Sequence, residues 1–361
     1  MKCKLSDICE YRKGKVNTSN LTLKTYISTE NMLPDKAGVV EANSLSSTRL
    51  VQEYKEHDTL VSNIRPYFKK IWQAKHDGGC SNDVLVFQGK ANVDKDFLYY
   101  ILANDDFFAY SMATSKGTKM PRGDKKSIMQ YELQLFDIKI QKKIVSILKL
   151  LDKKIELNNA INNNLTQQAK TIYQAWFEKF ILSNGSCPPT WKRGVLADIA
   201  NISSGKRPQI KSDKKIKGFE IPLVGATSIV GFTNKANYTN KILVIGRVGT
   251  HGIIQRINSP CWASDNTLVL TSKLYEYTFR VLQKIDYHAI NRGSTQPLIT
   301  QADMNKVDIL IPDNQILTEF ESTVGQLMQK YEANLMENTK LAELRDYLLP
   351  RLMSGELDIN I

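Results

Sequence analysis

The sequence has few cysteines, and their spacing supports no shared chemistry. The five (Cys3, Cys9, Cys80, Cys187, Cys261) include no CxxC pair and are odd in number. That argues against a disulfide framework or a zinc site and suits a reducing compartment. Long apolar runs are also missing: none approaches the ~18–20 residues that a spanning helix needs, so no membrane role is expected. The opening Met1-Lys2-Cys3-Lys4-Leu5-Ser6-Asp7 has no apolar h-region, so the expected location is cytoplasmic. Histidine is scarce, and His57, His76, His251 and His288 form neither HExxH nor an i, i+4 pair; metal catalysis has no support. Phosphate-loop spacing is absent as well. Gly246-Arg247-Val248-Gly249-Thr250-His251-Gly252 follows a strand-like run, but the strand-like Ile253-Ile254-Gln255 comes next. A turn joining two strands fits better than a nucleotide cradle, which would open a helix. No [DN]PP[YF] methyltransferase tetrapeptide occurs; Cys187-Pro188-Pro189-Thr190 is not one.

What is present is positive charge and length. The 361 residues carry 49 Lys+Arg against 37 Asp+Glu, for a net charge of +12. The length suggests two or three folded units, and the charge points to a polyanion such as nucleic acid. At 42% hydrophobic residues there is ample core, so the chain is not a disordered basic tail.

The chain is written twice. Shifted by 176 residues, Gly117 falls on Gly293, Pro121 on Pro297, Leu133 on Ile309, Asp137 on Asp313, Asn158 on Asn334 and Asn162 on Asn338. A different shift, 191, sets Leu5-Ser6-Asp7-Ile8 on Leu196-Ala197-Asp198-Ile199 and Gly14-Lys15 on Gly205-Lys206. Two copies of one unit are expected, each with a globular part of variable length and a tail of fixed length. The globular parts hold short β-like runs (Val84-Leu85-Val86-Phe87, Ile242-Leu243-Val244-Ile245, Thr267-Leu268-Val269-Leu270) and helical segments, Phe97 to Phe108 and Tyr277 to Ile285. Mixed α/β is the reading, α+β in class. The expected organisation is a first globular domain at 1–140, a central helix at 141–182, a second domain at 183–312 and a C-terminal helix at 313–361. The linker Ser183-Asn184-Gly185-Ser186 marks the entry to the second domain.

Both tails step by three and four, the spacing of a coiled-coil seam. The first seam holds Leu148, Leu151, Ile155, Asn158, Asn162, Leu165, Ala169, Ile172 and Trp176; the second holds Val324, Leu327, Tyr331, Asn334, Asn338, Leu341, Leu348 and Leu352. Arg345 stands where the first seam has Ala169, so Leu344 is expected to take over there. Each helix of about 35–40 residues would be on the order of 55 Å long. Residues 141–180 carry +4 and residues 313–361 carry −5. Opposite charge and matched seams predict an antiparallel intramolecular coiled coil in which the asparagines fix register.

The remaining charge lies on the globular parts, +4 on the first and +9 on the second. Lys gives point charges to phosphates, while Arg, Asn and Gln can read base edges with two hydrogen bonds. The candidate DNA contacts of the first copy are Lys13, Lys15, Arg65, Tyr67, Lys69, Lys70, Lys116 and Lys119. Those of the second are Lys206, Arg207, Lys211, Lys214, Arg247, Thr250, His251, Arg292 and Gln296. Arg65 and Arg247 are read as equivalent, each following a strand; Lys116-Gly117-Thr118-Lys119 parallels Arg292-Gly293-Ser294-Thr295-Gln296. Two other functions stay open on residues alone. One is a nuclease of the loose PD…ExK pattern, using Asp35, Glu53 and Lys55. The other is a coiled-coil adaptor with no DNA role.

In order along the chain, these features resemble the DNA-specificity subunit of Type I restriction–modification systems. Tyr347-Leu348-Leu349-Pro350-Arg351-Leu352-Met353-Ser354-Gly355-Glu356-Leu357 is similar to that family's closing motif, and Ile155-Glu156-Leu157-Asn158 with Asn162, Leu165, Ala169 and Trp176-Phe177 to its central helix. Trp191-Lys192 with Leu196-Ala197-Asp198-Ile199 and Gly205 looks like the opening of its second recognition domain, and Tyr26-Ile27-Ser28-Thr29-Glu30-Asn31-Met32-Leu33 like one variant of the first. Arg345 and Lys36-Ala37-Gly38 depart from the pattern. The resemblance implies two target-recognition domains, each reading half of a split site in double-stranded DNA, with helix length setting the gap. It also implies two methyltransferase subunits as partners and leaves open whether two restriction subunits join. On that reading S-adenosylmethionine, ATP and Mg belong to the partners, and no cofactor or metal to this chain.

Overall fold

A computed structural model describes residues 1–249, 252–292 and 298–357. It divides into two units: residues 1–158 with 336–361, and residues 159–335. Each is a mixed α/β body that includes part of both long helices, Ile138–Tyr173 and Asn314–Ser354.

In the first unit an antiparallel sheet runs in the order Cys9–Tyr11, Val84–Gly89, Thr59–Ser62, Ile71–Gln73. Every residue of Thr59–Ser62 is buried, so this central strand reads as a continuous run and not as an apolar–polar alternation. A second sheet holds Lys15–Asn17, Leu50–Tyr54, Gly78–Cys80 and Tyr26–Ile27, the last pair parallel. A ribbon pairs Lys2–Lys4 with Glu132–Gln134. Gly79 has to be glycine: a Cβ there would come within 2.8 Å of Leu21, Val16 and Val51 side chains. The expected helix from Phe97 to Phe108 is two helices, Lys95–Ala103 and Asp105–Ala113. They break at Asn104, whose side chain caps the second by accepting from the Asp106 N–H at 3.3 Å; such a cap competes with continued helix. The core joins Ile8, Phe87, Phe97, Ile101 and Phe107 to Ile144, Leu148, Leu349 and Leu352 of the long helices.

The second unit repeats the design. Its antiparallel sheet runs Asn201–Ser204, Thr267–Thr271, Ile242–Gly246, Ile254–Ile257. A smaller sheet holds Ile229–Thr233, Ile221–Val224 and Trp262–Ala263, again with one parallel pair. Lys192–Val195 pairs with Asp308–Ile311, and Tyr275–Leu282 is the helix. Tyr277, Phe320, Val324, Tyr173 and Phe177 close the core. The register exposes an offset that sequence comparison passes over. Ser62 opposite Val84 corresponds to Gly246 opposite Thr267, a shift of 184 on one strand and 183 on the other. The N-terminal offset of 191 and the tail offset of 176 are therefore two ends of a stepwise decrease, with shorter loops between corresponding strands of the second copy.

The helix pair is antiparallel, as the contacts within each unit show. In the first unit Asn158 Nδ2 donates to Asn338 Oδ1 at 2.9 Å and to Glu337 Oε2 at 2.8 Å, and Arg345 pairs with Asp152 at 3.0 Å. In the second, Asn334 Nδ2 donates to Asn162 Oδ1 at 2.9 Å and Asn162 Nδ2 to the Tyr331 carbonyl at 3.3 Å. Asn158, Asn162 and Asn334 are buried, so their amides bond each other in place of water and disfavour any slip of register. Around them Leu148 is buried, and Leu151, Ile155, Leu165, Leu327, Tyr331, Leu341 and Leu348 are half-buried. One seam expectation is corrected. Leu344 does not take over from Arg345; it is 45% exposed. Arg345 keeps the seam position because Asp152, itself accepting from Tyr100 Oη at 2.6 Å, supplies its counter-charge.

Candidate nucleic-acid interface

In the first unit the structure brings two of the predicted basic segments together. The strand Thr59–Ser62 leads into Asn63, Ile64 and Arg65, and a second loop, 116–123, is clipped onto it. Ile64 bridges Arg122, the Arg65 N–H donates to the Pro121 carbonyl at 2.8 Å, and the Gly123 N–H to the Asn63 carbonyl at 3.2 Å. Arg65 and Lys69 both have positive φ, 51° and 50°, and flank the turn Pro66–Phe68. Strain of this kind in non-glycine residues persists only where neighbours enforce it. Here the loop at 35–36 does so, with Asp35 and Lys36 N–H groups bonded to the Phe68 and Lys69 carbonyls. Tyr67 is 49% exposed, its ring 4.6 Å from that of Phe68.

The cations differ in how free they are. Arg65, Lys13 and Lys119 are exposed. Lys15 reaches Asn82 at 3.4 Å. Lys69 is paired with Asp105 at 2.7 Å, and Lys70 donates to the Thr29 carbonyl at 2.6 Å beside the Phe68 ring, where burial lowers its pKa. Lys116 pairs with Asp124 at 2.6 Å, and that hydrogen bond pulls the Asp124 carboxyl well below the usual carboxylate range.

The second unit has the same junction. Val248 bridges Leu298, the Ile299 N–H donates to the Arg247 carbonyl at 3.0 Å, and the Arg292 N–H to the Leu298 carbonyl at 3.1 Å. Arg292 is ion-paired with Asp303. Lys206, Arg207, Lys211 and Lys214 are exposed. Arg207 and Lys211 line a cleft of about 870 Å³ whose wall includes Val248 and Asn266. Thr250, His251 and Gln296, with Gly293, Ser294 and Thr295, lie outside the described residues.

The assumed equivalence of Arg65 and Arg247 is corrected. Arg247 donates its N–H to the Asn266 carbonyl at 2.8 Å, as Asn63 does to that of Asp83 at 2.8 Å. Its carbonyl accepts from Ile299 as that of Asn63 accepts from Gly123. Asn63 is therefore the counterpart of Arg247. The shared residue type suggested otherwise, while the strand register decides.

The residues of the nuclease reading do not assemble a metal site. Lys55 Nζ lies 2.9 Å from Glu53 and 3.2 Å from Asp77, while Asp35 sits in the loop bonded to Phe68. Among the described residues no group of three His, Cys, Asp or Glu side chains could hold a metal ion. No described helix is long and apolar enough to cross a membrane.

Comparison with known proteins agrees with this architecture. The family described as "Type I restriction modification DNA specificity domain" matches residues 1–167 and again 188–345. The chain is 22% identical to the Type I restriction enzyme HindI specificity subunit of Haemophilus influenzae, over 98% of this chain and 100% of that one. It is 24% identical to the Type I restriction enzyme MjaIX specificity subunit of Methanocaldococcus jannaschii, over 75% and 71%. The crystal structure of a Type-I restriction-modification system S subunit from M. genitalium has the same fold, with a TM-score of 0.62 at 17% identity, covering 98% of this chain and 96% of that one.

Proposed function

The chain belongs to the Type I restriction–modification DNA-specificity family, and from that premise we propose that it reads a bipartite site in double-stranded DNA, one half through the domain at 1–140 and the other through that at 183–312. It is a non-catalytic DNA-specificity subunit that works with methyltransferase and restriction subunits. On this reading two methyltransferase subunits flank it, two restriction subunits join where the system has them, and S-adenosylmethionine, ATP and Mg serve those partners. The observation that supports it most is the duplicated junction, in which two loops carrying cations meet beyond the central strand of each sheet. Unpaired lysines supply phosphate affinity and arginines the base contacts.

The test is selection of randomised duplexes by this chain in complex with its methyltransferase. The expected result is a two-part motif, bound with steep salt dependence because phosphate contacts release counterions. Arg247→Ala is expected to relax one position in one half by about tenfold or more while the other half stays readable; equal loss across all sequences would make Arg247 a phosphate contact. Inserting one heptad beside Asn158 and another beside Asn338 keeps the seam and adds about 10 Å of helix. The motif's gap is then expected to grow by about three base pairs at ~3.4 Å each, and an unchanged gap would remove the helices as its determinant.

A further inference from the structure

Resting on that reading, we propose that Asn63 and Arg247 are a matched pair of base-reading residues, Asn63 selecting an A·T pair in the first half-site and Arg247 a G·C pair in the second. The two stand at one structural position, as the four shared backbone contacts establish: the N–H to the carbonyl across the sheet, the carbonyl to the second loop, the bridge at the next residue, and the closure of that loop. Each is partly exposed. Each also carries a buried polar atom without a partner, the amide Oδ1 of Asn63 and the guanidinium Nε of Arg247. No described residue pairs with either side chain.

Buried polar groups are nearly always bonded, so an exception asks for a reason. Other described side chains, Arg256 and Arg280 among them, also carry such an atom; what sets these two apart is that they stand at equivalent places, and each is a residue type that makes two parallel bonds to a base. An asparagine amide offers an acceptor and a donor that match N6–H and N7 of adenine; a guanidinium offers two donors that match O6 and N7 of guanine. The surroundings of the first side chain depend on a glycine. A Cβ on Gly123 would lie 2.8 Å from Asn63 Oδ1, so the glycine leaves the amide room; its counterpart Ile299 is buried. Rotation about χ2 alone exchanges which amide atom is buried, so the two-bond contact with adenine requires the side chain to swing out about χ1 when DNA binds.

The experiment compares wild type, Asn63→Ala, Asn63→Ser and Arg247→Ala, each in complex with its methyltransferase, by selection from randomised duplexes and by thermal melting. The expected result is that either Asn63 variant makes one A·T position degenerate by about tenfold or more, in the half that Arg247→Ala leaves intact. Arg247→Ala does the same to one G·C position in the other half. An unchanged motif overturns the proposal. So does degeneracy in the same half for both residues, a G·C position lost with Asn63, or a uniform loss for all sequences. If both Asn63 variants fail to melt cooperatively, the side chain is holding the fold and the proposal is again overturned. Absence of any two-part motif in the wild-type complex is a different result, and sinks the function itself.

Discussion

Replacing Arg256 by alanine is expected to destabilise the second unit by about 3–5 kcal/mol, the range for breaking a buried ion pair from one side. Arg256 lies on the strand Ile254–Ile257 and donates twice to the Glu276 carboxylate, both bonds at 2.6 Å. The two side chains are only 12% and 5% exposed. The guanidinium also lies 5.0 Å from the Tyr275 ring and 4.8 Å from that of Phe279, and 3.6 Å from Glu332. Truncation leaves the Glu276 charge buried without its cation, and that residual charge is the larger part of the cost. Arg256→Lys should recover little, since an ammonium cannot match two parallel bonds or stack on both rings. Replacing both partners, Arg256→Met with Glu276→Leu, is expected to restore most of the loss. Denaturant unfolding of the four proteins decides: if the double variant is no more stable than Arg256→Ala, the stranded-charge explanation fails.

The duplication, the two long helices and their buried asparagines were legible in the sequence because each is local or strictly periodic. Seam residues recur every three or four positions, and a fixed tail length preserves the 176-residue offset. The central strands carry no such mark. Leu60-Val61-Ser62 and Val244-Ile245-Gly246 share composition more than identity, and loops of unequal length hide their offset until the ladder pairs them with Leu85 and Leu268. For the same reason residue type matches Arg65 to Arg247, and nothing in the sequence marks Asn63 as the counterpart. Long-range charge pairing was also out of reach. Nothing near Lys69, Lys116 or Arg292 signals that Asp105, Asp124 and Asp303 engage them; the fold alone sets such partners side by side. Arg345 is the instructive exception. As a lone charge in an apolar seam it announces a partner, and Asp152 in the opposite helix was available to be named.

Between about pH 4.5 and pH 7 the stability of the second unit is expected to fall as pH rises, through Glu321. This carboxylate on the C-terminal long helix accepts the Glu276 N–H at 3.0 Å and the Tyr277 N–H at 2.7 Å, at the start of the helix Tyr275–Leu282. Burial pushes its pKa from 4.5 up to about 7; the two backbone donors and Arg256 oppose this, and the Glu276 charge adds to it. The folded state therefore holds a proton that the unfolded chain has released, from about pH 4.5 to 7. The unfolding free energy declines over that window, levels off above it where both states are ionised, and is flat below it where both are protonated. At ~1.4 kcal/mol per pKa unit the rise from 4.5 to about 7 makes the full change about 3.5 kcal/mol. Glu276 and Tyr277 donate to different oxygens, so Glu321→Gln, which cannot ionise, keeps one acceptor and loses one bond at every pH; its stability relative to wild type should start low at pH 4.5 and rise by the full amount by pH 8. Parallel melts across that range read the difference directly. A difference that stays constant with pH would show that Glu321 is ionised in the folded unit throughout, its charge held by the helix N-terminus and Arg256.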